Sequence, residues 1–210
     1  MHIALLAPMP PEQNGIADYA AHLRAALEGL GLKVSTPLAG LGNDPQRAIE
    51  RVAHSDWQGI DLVHAELGGG RLAEFHALKA LRERFPSLPL SATVHDPERL
   101  VWRRASLPWP LSLATRLPSP LPQIATVLTD PLCLHEEKQL ARSLTRLITL
   151  THAGGACLRQ RMGLRAEQMV VIPHGNLAIP ARPLPPLSPL RLLYFCLLYT
   201  SDAADDLLCV

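Results

Sequence analysis

The sequence predicts an α/β fold, a parallel sheet with helices on both faces, and two observations carry this prediction. Short, continuous apolar runs alternate with segments of helical periodicity along most of the chain. A continuous apolar run is typical of a strand that is covered on both faces, and strand-helix alternation predicts parallel strands joined by right-handed crossovers. The 210 residues are 48% hydrophobic and 19% charged, which is the range of ordinary globular domains.

The first part of the chain contains four predicted strands and three predicted helices. The first helix begins after its N-cap, Asn14, and ends near Gly31. The second helix has Asp44 as its cap and Pro45 at its first position, and the third covers residues 72–85. The strands are predicted at residues 2–7, 33–37, 60–65 and 90–95.

The second part of the chain is less regular. Residues 99–123 are rich in proline, which predicts an irregular segment carrying at most a short helix. Strands are predicted at residues 146–151 and 169–172, and between them a helix covers residues 153–162 and ends at Gly163.

The composition changes after residue 177, where we place the end of a first domain that covers residues 1–177. Residues 178–189 contain five prolines, which is typical of a stiff interdomain linker. Residues 190–195 are interpreted as the first strand of a second domain. Residues 196–210 break that pattern and are too few to complete such a domain.

Composition and motifs exclude several functional classes. No apolar run is long enough to span a bilayer, and residues 2–7 lack the basic leader of a signal peptide, which favours a cytoplasmic protein. The four cysteines form no CxxC pair and have no His at metal-ligand spacing, so we expect reduced thiols and no metal site. There is no HExxH, Walker A, nucleophile-elbow or nucleic-acid motif, and no strongly basic face, so no nucleic-acid partner is expected.

The turn after the first strand is the strongest local signal of a binding site. Gly15 would let a ligand approach the backbone, and a helix N-terminus favours phosphate or another anion, so Asn14 and Gly15 are predicted to contact a ligand. Alternatively, Gly15 only permits a tight turn. The spacing is not GxGxxG and no acidic residue ends the second strand, which argues against a dinucleotide oxidoreductase.

Polar residues follow three other predicted strands. His95 and Asp96 end the fourth strand, and His174 and Gly175 follow the last one. Ligands of open parallel sheets bind outside the carboxyl ends of strands, so we predict ligand contact there, with His95 as the catalytic group or, alternatively, a structural histidine. Glu66 follows the third strand and is predicted either to contact the ligand or to be solvated in a flexible loop.

A segment with two tryptophans and several arginines has two interpretations. It either lies on an anionic membrane, which would be a peripheral contact with the inner membrane surface, or forms a solvated loop. Its residues are Trp102, Arg103, Arg104, Trp109 and Arg116.

In order, the strings NGIADY, TVHDP and VIPHGN ahead of a Pro-rich linker resemble the N-terminal domain of family 4 glycosyltransferases. The resemblance covers residues 1–195. It implies one of two Rossmann-like domains of a GT-B fold, and transfer of a sugar from a nucleotide-diphosphate sugar to a glycan or lipid-linked acceptor. It further implies retention of configuration, no cofactor beyond that co-substrate, no obligatory metal, and a role in cell-envelope polysaccharide synthesis.

The resemblance also implies roles for single residues. Gly15 matches the glycine that faces the donor diphosphate, His95 the histidine near the transferred sugar, and His174 with Gly175 the hinge-side motif. The chain departs from the family where Asn14-Gly15 replaces the usual paired glycine.

The family's second domain mainly holds the nucleotide-sugar, so without it we expect the fragment to be inactive. Residues 196–205, CLLYTSDAAD, resemble a translated sequencing-library adapter, and residues 196–210 are therefore expected to be foreign to the natural protein. Two alternatives are a free-standing Rossmann-like binding or partner domain and a GT-B sugar-nucleotide epimerase. The free-standing domain differs from the transferase in what the gene encodes after residue 195, and the epimerase would need acidic catalytic residues that the sequence does not identify.

Overall fold

The computed structural model describes residues 1–97, 113, 118, 120–128 and 130–174. The strands of this part of the chain are β1 (His2–Leu6), β2 (Lys33–Ser35), β3 (Leu62–Leu67), β4 (Leu90–Val94), β5 (Arg146–Thr149) and β6 (Met169–Val171). The helices are α1 (Gly15–Gly29), α2 (Pro45–His54), α3 (Leu72–Arg84), α4 (Leu121–Leu128), α5 (Asp130–Ser143) and α6 (His152–Met162).

The strands form one sheet in the order β2-β1-β3-β4-β5-β6, and all five pairings are parallel. The predicted Rossmann-like α/β fold is therefore confirmed. The chain first steps from β1 outward to β2 and then returns to place β3 on the other side of β1. The strand order thus reverses between β1 and β3, the point at which open parallel sheets bind ligands.

The two faces of the sheet differ in chemistry. On one face, Ala4 and Leu6 of β1 belong to a large apolar cluster that includes side chains of α2, α3, α5 and α6. On the other face, Leu5 and Ala7 pack with Ala20 of α1. Because Leu5 is paired with His64 in β3, the α1 face also carries the polar side chains of the central strands.

Three residues that were predicted to cap or end helices do so in the structure. Asn14 caps α1, with its side chain accepting from the Ala17 amide at 2.8 Å. Asp44 caps α2 ahead of Pro45, and α6 ends at Gly163 in the left-handed conformation (φ 63°). These contacts satisfy amides and carbonyls that a helix terminus leaves without partners.

The start of α3 is capped from a distant part of the chain. Its own N-cap residue, Arg71, makes no capping bond through its side chain. Instead, the Asn43 side chain accepts from the Leu72 and Ala73 amides at 2.7 and 3.1 Å. The same side chain donates to the Gly70 carbonyl at 2.6 Å. Asn43 therefore ties the loop ahead of α2 to the loop that leaves the edge of β3.

Several predictions of the elements need correction. The helix α5 was not predicted, and α4 begins inside the segment predicted to be irregular. The third strand was predicted two residues too early, since β3 runs to Leu67.

Other predictions fall outside the described residues. These are the linker at 178–189, the strand at 190–195, the tail at 196–210 and the Trp- and Arg-containing segment at 102–116. Within the described part of the chain, no helix combines the length and apolarity needed to cross a membrane. Cys133 and Cys157, both described, are free thiols.

The Asn43 cap yields a stability prediction. Asn43→Ala should lower the free energy of unfolding by about 1–2 kcal/mol, because two amides of α3 lose their acceptor. Asn43→Asp keeps an acceptor next to the positive end of the helix and should lose clearly less. Urea unfolding of the three proteins measures both effects, and equal losses for Ala and Asp would contradict the capping role.

Candidate functional site

The candidate site lies at the carboxyl edge of the sheet, beside the β1/β3 switch point. Its walls come from segments that follow four different strands: the start of α1, the glycine loop after β3, His95 after β4, and His174 after β6. The predicted grouping of strand ends at one edge follows from the parallel pairing of these strands.

The start of α1 offers backbone amides to this edge. Among the described residues, none accepts a hydrogen bond from the amides of Gly15 or Ile16. Gly15 is also absent from the described glycines with positive φ, so its backbone conformation is open to any residue. The backbone conformation therefore does not by itself require glycine at this turn.

The glycine loop packs tightly on α1. A Cβ at Gly68 would collide with the Cδ1 of Ile16, so a larger residue at this position would require the Ile16 side chain to move. Next to it, the Gly69 amide donates to Asp96 Oδ2 at 2.8 Å. Asp96, predicted to contact a ligand, thus uses one carboxylate oxygen to hold this loop.

Arg71, which follows the same loop, forms ion pairs with two carboxylates. Arg71 binds Glu74 with two nitrogens, at 3.0 and 2.6 Å, and reaches Glu12 of the β1–α1 turn at 3.3 Å. Burial acts to lower the pKa of Arg71, but the two carboxylates raise it above its ordinary value overall. The guanidinium therefore stays charged and joins the two loops that border the switch point.

Three rings meet at the edge of the sheet. Tyr19 of α1 contacts His95 edge-on, with ring centroids 5.2 Å apart, and contacts His174 in the same way at 5.4 Å. The two histidine rings are 6.4 Å apart. His95 and His174, predicted from separate strands, are therefore brought together. Tyr19 was not predicted as a site residue, although its position one turn after Gly15 places it on the same side of the helix.

Beneath the rings lies a carboxylate with no exposure to solvent. Glu66 is 0% exposed and lies within β3. Its Oε2 is 2.8 Å from His95 Nε2, and its Oε1 is 3.1 Å from His64 Nε2. The prediction that Glu66 follows the strand in a solvated loop is wrong, because the strand continues through it and its side chain faces the buried side of α1.

The polar contacts continue inward across the strands. His64 Nδ1 is 2.8 Å from Ser91 Oγ, and His64 Nε2 is 3.0 Å from Thr93 Oγ1. In the register of β3 and β4, His64 pairs with Ser91 and Glu66 with Thr93. Alternation along each strand puts these side chains on one face, a period-2 signal that the apolar interpretation of both strands overlooked.

Charge in this network is concentrated on Glu66. Burial alone would raise the pKa of Glu66, but hydrogen bonds and charge interactions with His64 and His95 outweigh it and lower the pKa below its usual value. Glu66 is therefore an ionised carboxylate at neutral pH. Burial, and next the negative charge of Glu66, raise the pKa of Tyr19, which keeps its phenol protonated.

Of the two predicted site residues that follow β6, the structure describes one. Gly175 lies outside the described residues, whereas His174 is described and exposed. No group of three or more His, Cys, Asp or Glu suited to a metal ion occurs in the described part of the chain.

A small cavity lies on the opposite face of the sheet. It encloses about 20 Å³ under α5 and α6 and is lined mainly by apolar side chains such as Leu140, Leu147 and Leu158. This volume suits about one water molecule, so the cavity is not the ligand site.

The chain matches no protein-family model and no curated protein. Function must therefore be argued from the site itself.

The buried carboxylate predicts a dependence of stability on pH. Because the pKa of Glu66 is lower in the folded protein, Glu66 contributes stability that is fully present above its ordinary pKa of 4.5 and is lost as the pH falls through the folded-state pKa. Glu66→Gln should cost about 3 kcal/mol at pH 7, since His64 and His95 both lose a hydrogen bond to a charged, buried group. The difference in free energy of unfolding between Glu66→Gln and the parent should become smaller as the pH falls below 4.5.

Urea unfolding across this pH range measures the effect. Glu28→Gln is the matched control, because Glu28 forms an exposed pair with Arg24 and such pairs contribute little. A constant difference between parent and Glu66→Gln at every pH would rule out the ionised carboxylate.

Proposed function

We propose that this chain is the acceptor-side half of a glycosyltransferase that uses a nucleotide-diphosphate sugar, acting on a glycan or lipid-linked acceptor with retention. One observation carries the proposal. The Tyr19–His95–His174 ring cluster lies at the switch-point edge of the sheet, and Tyr19 ties it to the first turns of α1. This edge combines polarisable rings and a histidine with backbone amides, which is suitable for a sugar next to a phosphate.

The balance of charge supports a site completed by other residues. Glu12 lies in the turn before α1, and Asp18 lies in the first turn of the helix, so both add negative charge here. Arg71, the positively charged residue that contacts the turn, is already paired with the carboxylates of Glu12 and Glu74. The α1 amides can orient one phosphate group but cannot neutralise a diphosphate. Under this proposal, cationic groups outside the described residues supply that charge, as a separate donor-binding domain would.

The alternatives make different demands on the same residues. A sugar-nucleotide epimerase needs acidic groups that reach the ligand, and Glu66 is fully buried beneath His95. A free-standing binding domain would need only the amides and rings. It becomes the better interpretation if the intact gene product binds a nucleotide sugar without transferring it.

An exposed apolar face supports peripheral contact with a membrane, where a lipid-linked acceptor would be found. Ile124, Val127 and Leu128 of α4 are 50–63% exposed, and Leu121 one turn earlier is 44% exposed. An apolar helix face next in sequence to a segment with Trp and Arg is suited to an anionic lipid surface.

A variant of His95 tests the transferase. His95→Gln keeps an N–H donor near Glu66 but removes the imidazole, so turnover should fall roughly a hundredfold while the fold is retained. The assay is release of nucleoside diphosphate by the intact gene product, using a panel of nucleotide sugars and acceptors. His135→Gln, on the exposed side of α5, is the control. Unchanged turnover in a correctly folded His95→Gln would remove His95 from the site.

Gly15 provides a second test. Its φ is not positive, so Gly15→Ala should leave the melting temperature unchanged or slightly raised, as expected for alanine in a helix. If a phosphate lies against this turn, the added methyl should weaken nucleotide-sugar binding about tenfold, or 1.4 kcal/mol. Gly29→Ala, at the other end of α1 in open space, controls for the helix effect. Calorimetric titration of the intact protein gives both affinities, and equal values would argue against phosphate at α1.

A further inference from the structure

We propose that Glu66 is a positioning residue that fixes His95 as its Nε2–H tautomer, so that Nδ1 is the ring atom that meets the ligand. It follows that the ligand group at Nδ1 is a hydrogen-bond donor such as a hydroxyl. That this hydroxyl belongs to a sugar rests on the proposed function. The tautomer rests only on the contacts within the described chain.

Glu66 and His95 are in direct contact. Their closest atoms, Oε2 and Nε2, are 2.8 Å apart, a short distance typical of a charge-assisted hydrogen bond. An ionised carboxylate can only accept, so Nε2 must carry the hydrogen. The lowered pKa of Glu66 supports the ionised form at neutral pH.

The Glu66 carboxylate is held in a fixed orientation. Its other oxygen is held by His64 at 3.1 Å, and His64 is itself held by Ser91 and Thr93. Glu66 is 0% exposed, so water cannot replace either histidine without opening the packing of α1 on the sheet. The partner of His95 Nε2 is therefore rigid, and it sets the plane and tautomer of the ring in the way a buried carboxylate orients a catalytic histidine.

Nδ1 is the second ring nitrogen of His95. His95 Nδ1 has no hydrogen-bond partner among the residues that the structure describes. The neighbouring rings make no hydrogen bond to it: Tyr19 lies nearly perpendicular to the His95 ring, and His174 lies tilted at a centroid distance of 6.4 Å. In the neutral Nε2–H tautomer, Nδ1 bears a lone pair that accepts from a hydroxyl and is unfavourable next to a phosphate oxygen. This favours the acceptor or sugar hydroxyls over the diphosphate as the partner of His95.

The tautomer can be measured directly on the ¹⁵N-labelled chain. Long-range ¹H–¹⁵N spectra at about pH 8, where an ordinary imidazole is neutral, distinguish the two tautomers by the shifts of the ring nitrogens. The His95 signals are assigned by their loss in His95→Gln. We expect one dominant Nε2–H form. A dominant Nδ1–H form, or an equal mixture, would overturn the proposal without any need for a Glu66 variant to fold.

Variants then test whether Glu66 is the cause. Glu66→Gln presents an amide that can either accept or donate, so His95 should become a mixture of tautomers. Glu74→Gln is the matched control, because Glu74 is another buried carboxylate but is paired with Arg71, and its loss should leave the His95 spectrum unchanged. A Glu66→Gln protein that keeps the parent's single tautomer would show that Glu66 does not position the ring.

Turnover of the intact gene product completes the test. Under the proposed function, Glu66→Gln should lower kcat about tenfold or more with a smaller change in KM, because the ring is present but in the wrong tautomer for part of the time. Glu74→Gln should affect kcat less. If the intact product transfers no sugar, the proposed function fails, and the spectra still decide the role of Glu66.

Discussion

The ionised Glu66 carboxylate is the constraint on which the centre of this structure depends. A buried charge must be paired, and its partners His64 and His95 come from β3 itself and from the residue that follows β4. A slip of β3 by one residue would turn Glu66 to the apolar face, where Val63 and Ala65 now pack, and leave it without partners. The polar network therefore specifies one register of the central strands, in addition to any stability that it contributes.

The same constraint explains why the two faces of the sheet have different roles. The face covered by α2 and α3 carries the large apolar cluster that forms most of the core. The α1 face has a small apolar cluster around Leu5, and the polar network takes up the remaining area toward β4. The network ends at His95, where the sheet meets solvent. A structural element that holds the fold together thus continues directly into the candidate site.

The sequence predicts the elements whose signals are local and misses those that depend on distant partners. Asn14, Asp44 and Gly163 act within one turn of a helix end, so their roles were predicted correctly. The helix α5 was missed because Glu137 interrupts its buried stripe with a charge. The role of Glu66 was misjudged because the three following glycines suggested a loop and because His95, its partner, lies 29 residues away. No local pattern reveals such a contact, although the alternation of His64 with Glu66, and of Ser91 with Thr93, marks the face on which it forms.

The contact between Gly68 and Ile16 has a consequence for the thermodynamics of ligand capture. Ile16 packs against Gly68, and Arg71 and Asp96 hold the same loop through an ion pair and a hydrogen bond, so the loop and the first turn of α1 are joined by three contacts. A site whose walls are already ordered loses less conformational entropy when it is occupied. The described part of the chain should therefore bind a ligand with little rearrangement of its own.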